Sequence, residues 1–408
     1  MSRGSAYVLV ISVLLLTALG FVMLLSTAPY SQEGQMDAMS GVRRQGIWLV
    51  LGLVAAAALS MTDYHRLRDW AGPIFWISIV LLACCFIPAI GVKVGGASRW
   101  IRVPGIGFTG QPSELAKIAT VIALAAWCAR FRDRRTEFLR GFIYPLFMVA
   151  MPVGLIAAEV DLGNASLIFL TCTSMLFIAG IPLRYVMFLI AMGAASLTTA
   201  IHFIPNRTAR ITAFLYLNEP LLEKMPAQVT DFLHLKEADK SKLKADIVNM
   251  NHQQRQALIA LGNGGLTGQG IGESRQKLYY LPLPHTDSVF AIVGEELGLA
   301  GTGFVIILFL GAGLSGIIIA LHAPDRFGKL LGFGLMCLIV GQAAINIGVT
   351  TGCLPNKGMP LPFISYGGSN LFSCLVAIGI VLNIYLQARE AAGASVPLLG
   401  REKLTPAV

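Results

Sequence analysis

The chain has 408 residues, of which 55% are hydrophobic and 13% charged, with a formal net charge of +9. Soluble domains carry charge on about a quarter of their residues, so a soluble globular class and a disordered class are both excluded. The positive balance does not point to nucleic acid, because the Lys and Arg fall in short segments between long apolar runs.

Crossing a bilayer takes about 20 mostly apolar residues with every backbone group bonded inside the helix. The runs predict an all-α polytopic membrane protein with ten spans, near 6–28, 45–62, 71–90, 111–129, 141–158, 164–181, 184–204, 288–320, 330–350 and 367–388. The first is read as an uncleaved span rather than a signal peptide, since it is long for a signal core and many spans follow. The eighth is long enough to tilt or to extend beyond the bilayer. All 408 residues form one membrane domain, interrupted by a polar loop at about 205–285 with LKEADKSKLKAD at its centre. Among short loops the Lys and Arg gather on the side of the N-terminus, most densely in ARFRDRRTEFLR. By the positive-inside bias both termini are then cytoplasmic and the long loop is external. The seven Cys have no metal-ligand spacing and read as small buried hydrophobes.

The polar residues at span ends carry the chemistry. GASRWIRVPGIGFTGQPSELAK joins spans three and four and brings Arg99, Trp100, Arg102, Glu114 and Lys117 into one segment. Pro112 suits a first helical turn, and Glu114 complements the free N–H groups there. Lys117 lies one turn deeper on the same face as Glu114. The pair reads either as an internal ion pair or as part of a cationic pocket. Charged groups inside spans usually line cavities, which favours the pocket. In AAEVDLGNAS, Asp161 either caps span six or pairs with Lys117 or an arginine.

GNGGLTGQGIGES contains six glycines but fits neither the dinucleotide nor the P-loop pattern. It reads as a compact loop with close backbone packing. Asp287, flanked by His285 and Thr286, stands where this loop enters span eight, and reads equally as a helix cap and as a general base. Glu295 and Glu296 are adjacent and cannot face the same way, so at least one meets another helix or a cavity. TTGCLPNKGMPLPFISYGGSN joins spans nine and ten. Its irregular backbone must be buried in protein or line water, and Lys357 adds an outward positive charge.

GASRWI with QPSELAK, DLGNA, QKLYYLP with HTD and VGEELG, and LPFISYGGS occur in this order along nearly the whole chain. Together they resemble the SEDS family (shape, elongation, division, sporulation), whose members include FtsW, RodA and SpoVE. QKLYYLP and Lys357-Gly358 lean towards the FtsW branch, whereas Pro360 is more usual in RodA. The resemblance implies a ten-span glycosyltransferase of the bacterial inner membrane that polymerises lipid II, the undecaprenyl-pyrophosphate-linked disaccharide-peptide. It implies a class B penicillin-binding protein transpeptidase and other divisome or elongasome membrane proteins as partners. Asp287 falls on the family's essential carboxylate, and Trp100, Glu114, Lys117 and Asp161 on positions that shape its cavity. Arg99, Arg102 and Lys117 are candidates to hold the leaving diphosphate. The sequence requires no cofactor and leaves room for a divalent cation. A lipid II flippase is the main rival reading, and a non-enzymatic scaffold the third. The chain departs from the family's pattern at Glu159-Val160, where Gln-Pro is usual, at Leu283, at Ser288, and in its longer, more charged loop.

Overall fold

The computed structural model describes residues 3–27, 38–88, 90–94, 97–102, 109–203, 214, 252–277 and 286–393. The charged insert at 235–246, His285 and Leu281–Leu283 lie outside the described residues.

Apolar runs become helices because hydrocarbon offers no partner for an open N–H or C=O. Helix α1 covers Arg3–Thr27, α2 Ala38–Met61, the short α3 His65–Asp69 and α4 Ala71–Cys84. Then come α5 over Pro112–Arg130, α6 over Tyr144–Ala158, α7 over Leu162–Ile178 and α8 over Leu183–Phe203. A helix at 252–264 (α9) precedes α10 over Val289–Leu321, α11 over Arg326–Thr350 and α12 over Gly368–Ala391. Seven of these are long and apolar enough to cross a membrane. Three shorter apolar helices (α4, α7 and the 183–196 part of α8) account for the remaining expected spans.

The bundle is apolar on its outward faces, and its largely apolar interior holds a set of buried polar side chains. Ile11, Leu14, Ile77, Leu170, Ile307 and Leu314 are exposed on outward faces, whereas Glu114, Lys117, Gln342, Asn346 and Asn383 are buried. A lipid solvent favours this arrangement, because polar side chains find partners only in the interior. α5 packs against α4, α6, α7 and α11, and α12 packs against α2, which together set the core around α5.

The segment between α4 and α5 carries Arg99, Trp100 and Arg102. It forms a three-stranded antiparallel sheet: β1 (Gly91–Val94), β2 (Ala97–Arg102) and β3 (Thr109–Gly110). Val92 pairs with Trp100, and Ile101 with Gly110. Lys93 pairs with Ser98, so Arg99 is the extra residue of a bulge, whereas Trp100 and Arg102 share one face of the strand. We call this end of the bundle the sheet end, and the opposite one the terminal end. The terminal end is fastened where Tyr64 OH donates to Asp325 Oδ1, Gln387 Nε2 donates to Asp63 Oδ1 at 2.8 Å, and Arg326 donates to the Ala179 carbonyl.

Helix α10 does not run straight. It breaks at Gly298, which has φ 66° and ψ −162°. The break frees carbonyls of Glu295 and Glu296, which accept the N–H groups of Gln269 at 2.9 Å and Gly270 at 3.0 Å. In return Leu299 N donates to Gly265 O at 2.9 Å and Ala300 N to Leu266 O at 3.1 Å. The glycine-rich segment is thus stitched backbone to backbone onto the break. A Cβ on Gly268 would fall 2.1 Å from Glu296 O, which is why glycine stands there. The two carboxylates turn different ways. Glu296 Oε1 accepts Lys277 Nζ at 2.9 Å and Ser26 Oγ at 2.6 Å. Glu295 accepts Ser274 Oγ and the amide of Arg275 at 3.2 Å. Glu295 therefore holds the loop to α10, and Glu296 ties it to α1 as well.

A Cβ at Gly298 would lie 2.4 Å from Gly268 N and 2.7 Å from Leu266 O. Left-handed backbone costs a non-glycine residue about 1–3 kcal/mol before any clash is counted. Gly298→Ala is expected to lower the unfolding midpoint in detergent and to expose the 264–274 segment to protease. An unchanged midpoint with unchanged cleavage would show that the stitch adds nothing.

Candidate active site

Asp287 is half-buried, two residues before α10 begins. Its position is set by main-chain contacts. Asn346 Nδ2, from α11, donates to Asp287 O at 2.9 Å and to Met359 O at 2.7 Å. Ser365 Oγ donates to Thr286 O at 2.5 Å, and accepts the amide of Leu361 at 2.8 Å. The N-cap of α10 is Ser288, with no side-chain capping bond. The carboxylate lies against the connector between α11 and α12: a Cβ on Gly358 would come within 2.6 Å of Asp287 Oδ2. This connector is buried protein, with Met359, Leu361, Phe363 and Ile364 each at most 2% exposed. Its irregular backbone is thereby accounted for.

Lys357, next to that glycine, donates from Nζ to Leu162 O at 2.6 Å and to Ser166 Oγ at 3.3 Å on the first turn of α7. The space above Gly163 is filled by Lys357 Cε and by Asp161 Oδ1. Asp161 caps α7, Oδ1 accepting the Asn164 amide at 3.2 Å. Its Oδ2 accepts Asn164 Nδ2 at 3.0 Å and Gln111 Nε2 at 3.3 Å. The cap reading of Asp161 is the one observed. Arg99 reaches Val160 O at 2.6 Å, and its buried Nε has no acceptor among the described residues. Asp287 thus lies against the residue after Lys357, Lys357 reaches the residue after Asp161, and Arg99 reaches the residue before it. Trp100 is half-buried and Arg102 is exposed.

Lys117 and Glu114 sit deeper, 3% and 1% exposed. Lys117 Nζ lies 2.9 Å from Glu114 Oε1 and Oε2 and donates to Gln342 Oε1 at 2.7 Å. Glu114 Oε2 also accepts Asn370 Nδ2 and Ser373 Oγ, each at 2.9 Å. Gln342 Nε2 donates to Pro360 O at 2.8 Å, which ties this pair to the connector beside Asp287. The ammonium and carboxylate are occupied inside the bundle, joining α5 to α11 and α12. Gln342, Asn346, Asn370 and Ser373 were not singled out from sequence. Their signal was available, since amides inside apolar spans are costly and mark interior contacts.

Glu159, at the end of α6, is also buried, and neither carboxylate oxygen has a hydrogen-bond partner among the described residues. Burial pushes its pKa from 4.5 up to about 7; Asp161 adds to the rise, while the Cys85 thiol and Arg99 oppose it. The folded chain therefore holds this proton to higher pH than the unfolded chain does. Stability from this group is complete below about 4.5 and declines as pH rises through about 7. Glu159→Gln is expected to flatten thermal stability between pH 5 and 8 and to raise it at pH 8. A variant with the native slope would remove Glu159 as its source.

A bundle that carries ionisable side chains at and beneath the mouth beside Asp287 belongs to the class of polytopic membrane proteins built around a membrane-surface site. The chain belongs to the FtsW/RodA/SpoVE family, described as cell cycle proteins, which it matches over residues 6–390. It is 37% identical over 378 residues to the probable peptidoglycan glycosyltransferase FtsW of Geobacter metallireducens, covering 92% of this chain and 93% of that one. It is 35% identical over 383 residues to stage V sporulation protein E of Bacillus subtilis, covering 93% and 97%. Its fold matches a solved chain from work on the structural coordination of polymerization and crosslinking by a peptidoglycan synthase complex. That match has a TM-score of 0.68 and 26% identity, covering 93% of this chain and 97% of that chain.

Proposed function

We propose that the chain is a peptidoglycan glycosyltransferase that polymerises lipid II into β-1,4-linked glycan strands. The family and the names of its relatives support the activity. The contact of the Asp287 carboxylate with Gly358, next to Lys357 and at the same mouth as Arg99, is what supports the site. The donor sugar carries an α-linked diphosphate and the product bond is β, so one displacement inverts the anomeric carbon and needs a single base. Asp287 takes the proton from the acceptor 4-hydroxyl as its oxygen attacks C1. The C1–O bond to the diphosphate breaks, and the charge that develops is met by Arg99, Arg102 and Lys357. Lys117 and Glu114 act from beneath, by fixing the helices that carry this mouth.

The termini are cytoplasmic and the sheet end external, by the arginine bias. A class B penicillin-binding protein would cross-link the emerging strand, in keeping with the complex named for the structural relative. Purified protein given labelled lipid II tests the function on a gel. A ladder of glycan strands is expected. Lipid movement across vesicles without a ladder would replace the enzyme by a flippase, and neither would leave a scaffold.

Gly358→Val offers a finer probe. A side chain there collides with the flexible end of Asp287 rather than with backbone. The expected result is loss of polymer with a near-native unfolding midpoint. Full activity would show that the carboxylate need not lie where it does.

A further inference from the structure

At the terminal end, a cavity of about 1170 Å³ opens between α4, α5 and α6 and the start of α11. It is at or beyond the upper limit of small-molecule pockets, about 300–1,000 Å³. Its body is apolar, with Phe75, Trp76, Phe147 and Met148 among its walls, and three arginines, Arg68, Arg130 and Arg326, line its mouth. The acids at the mouth are Asp69 and Asp325. Asp69 stands 3.7 Å from Arg68. Asp325 is occupied by the amides of Phe327 and Gly328, at 2.9 and 3.3 Å, and by the Tyr64 hydroxyl. Arg130 lies over the Phe131 ring at 5.6 Å, and Arg326 donates to Ala179 O. Among the described residues neither guanidinium has a carboxylate in ion-pair range. Arg130 thus has no carboxylate partner among the described residues and Arg68 only an exposed one at 3.7 Å, so both can turn to an anion at the mouth of a greasy groove.

We infer that this cavity binds an anionic phospholipid of the adjacent leaflet, its phosphate on Arg68 and Arg130 and an acyl chain along the groove. The charge selects the occupant. A neutral lipid would leave the arginines unanswered, and a soluble anion would leave the apolar walls wet. Trp127 and Tyr144 also line the cavity, and such amphipathic aromatics are favoured at membrane–water interfaces. The adjoining segment sets Arg132, Arg134, Arg135 and Arg140 against Asp133 and Glu137, which Arg134 and Arg140 approach at 3.8 and 3.5 Å; it remains net positive and marks the side that the charge bias assigns to the cytoplasm. That leaflet carries anionic lipid, and basic pockets between membrane helices on that side bind such headgroups.

The test uses the full chain in detergent, with native mass spectrometry counting retained lipid after addition of phosphatidylglycerol or phosphatidylcholine. One phosphatidylglycerol should remain bound under conditions that strip phosphatidylcholine, and inorganic phosphate alone should not displace it. The double variant Arg68→Gln/Arg130→Gln should weaken retention at least about tenfold, as two phosphate contacts are lost. Gly72→Phe should do the same by filling the groove: Gly72 lines the cavity, and a Cβ there meets nothing within 4 Å. Equal retention of the two lipids, or native retention in both variants, overturns the proposal. A polyprenyl phosphate that displaces phosphatidylglycerol overturns the assignment to a glycerophospholipid.

Discussion

Asp287→Asn protein is expected to make no detectable glycan from labelled lipid II while folding as the native chain does. A general base contributes about 10²–10⁴-fold to rate, and asparagine matches aspartate in size while giving up that role. The local structure should survive, because Asp287 O is held by Asn346 and Thr286 O by Ser365. These are main-chain contacts, which the substitution leaves intact. The measurement is polymer yield beside an unfolding midpoint, both on the same preparation. Native polymer from a well-folded Asp287→Asn sample would end the assignment of the base. Loss of polymer together with a collapsed midpoint would show that the carboxylate serves the fold.

Lys117→Met should cost the bundle about 3–5 kcal/mol, the usual penalty for stripping one partner from a buried ion pair. Glu114 would keep Asn370 and Ser373 but lose its counter-ion in a site where it is 1% exposed. The companion variant Lys117→Met/Glu114→Gln should recover most of the loss, since replacing both charges is often close to neutral. Denaturant titration of helicity in micelles reads both. The same proteins separate two roles for Lys117. A stable Lys117→Met protein that makes no polymer would point to contact with substrate. An unstable one that the double variant restores in both respects would point to support of the helices.

The ten spans were legible in the sequence because hydrocarbon leaves a chain few choices: long apolar runs must become helices. The start of α5 was legible for a local reason, as Pro112 and Glu114 both suit a first turn. The sheet at 91–110 was not, because its strands are short and set among glycines, so alternation never runs long enough to stand out. Missing it also hid the bulge at Arg99. The spacing of Glu114 and Lys117 does put them on one face of a helix. What that face meets depends on Gln342, Asn370 and Ser373, more than 220 residues away in the chain, and no local pattern reports such partners. Asp287 was singled out by its place at a loop–span boundary and by the resemblance. Its contact with Gly358 is a property of the assembled bundle.

The internal network on α5 also constrains how the protein is made. Ribosome and translocon deliver α5 long before α11 and α12 exist, so Lys117 and Glu114 enter the bilayer with only each other for company. Three residues apart on one helix, they cancel in charge and ease an insertion that each would burden by about 2.5–3.5 kcal/mol alone. Their remaining bonds close only when the final helix arrives. A nascent chain stalled before that point carries unfinished polar contacts at its centre, which gives membrane quality control a mark by which to tell an incomplete molecule from a finished one.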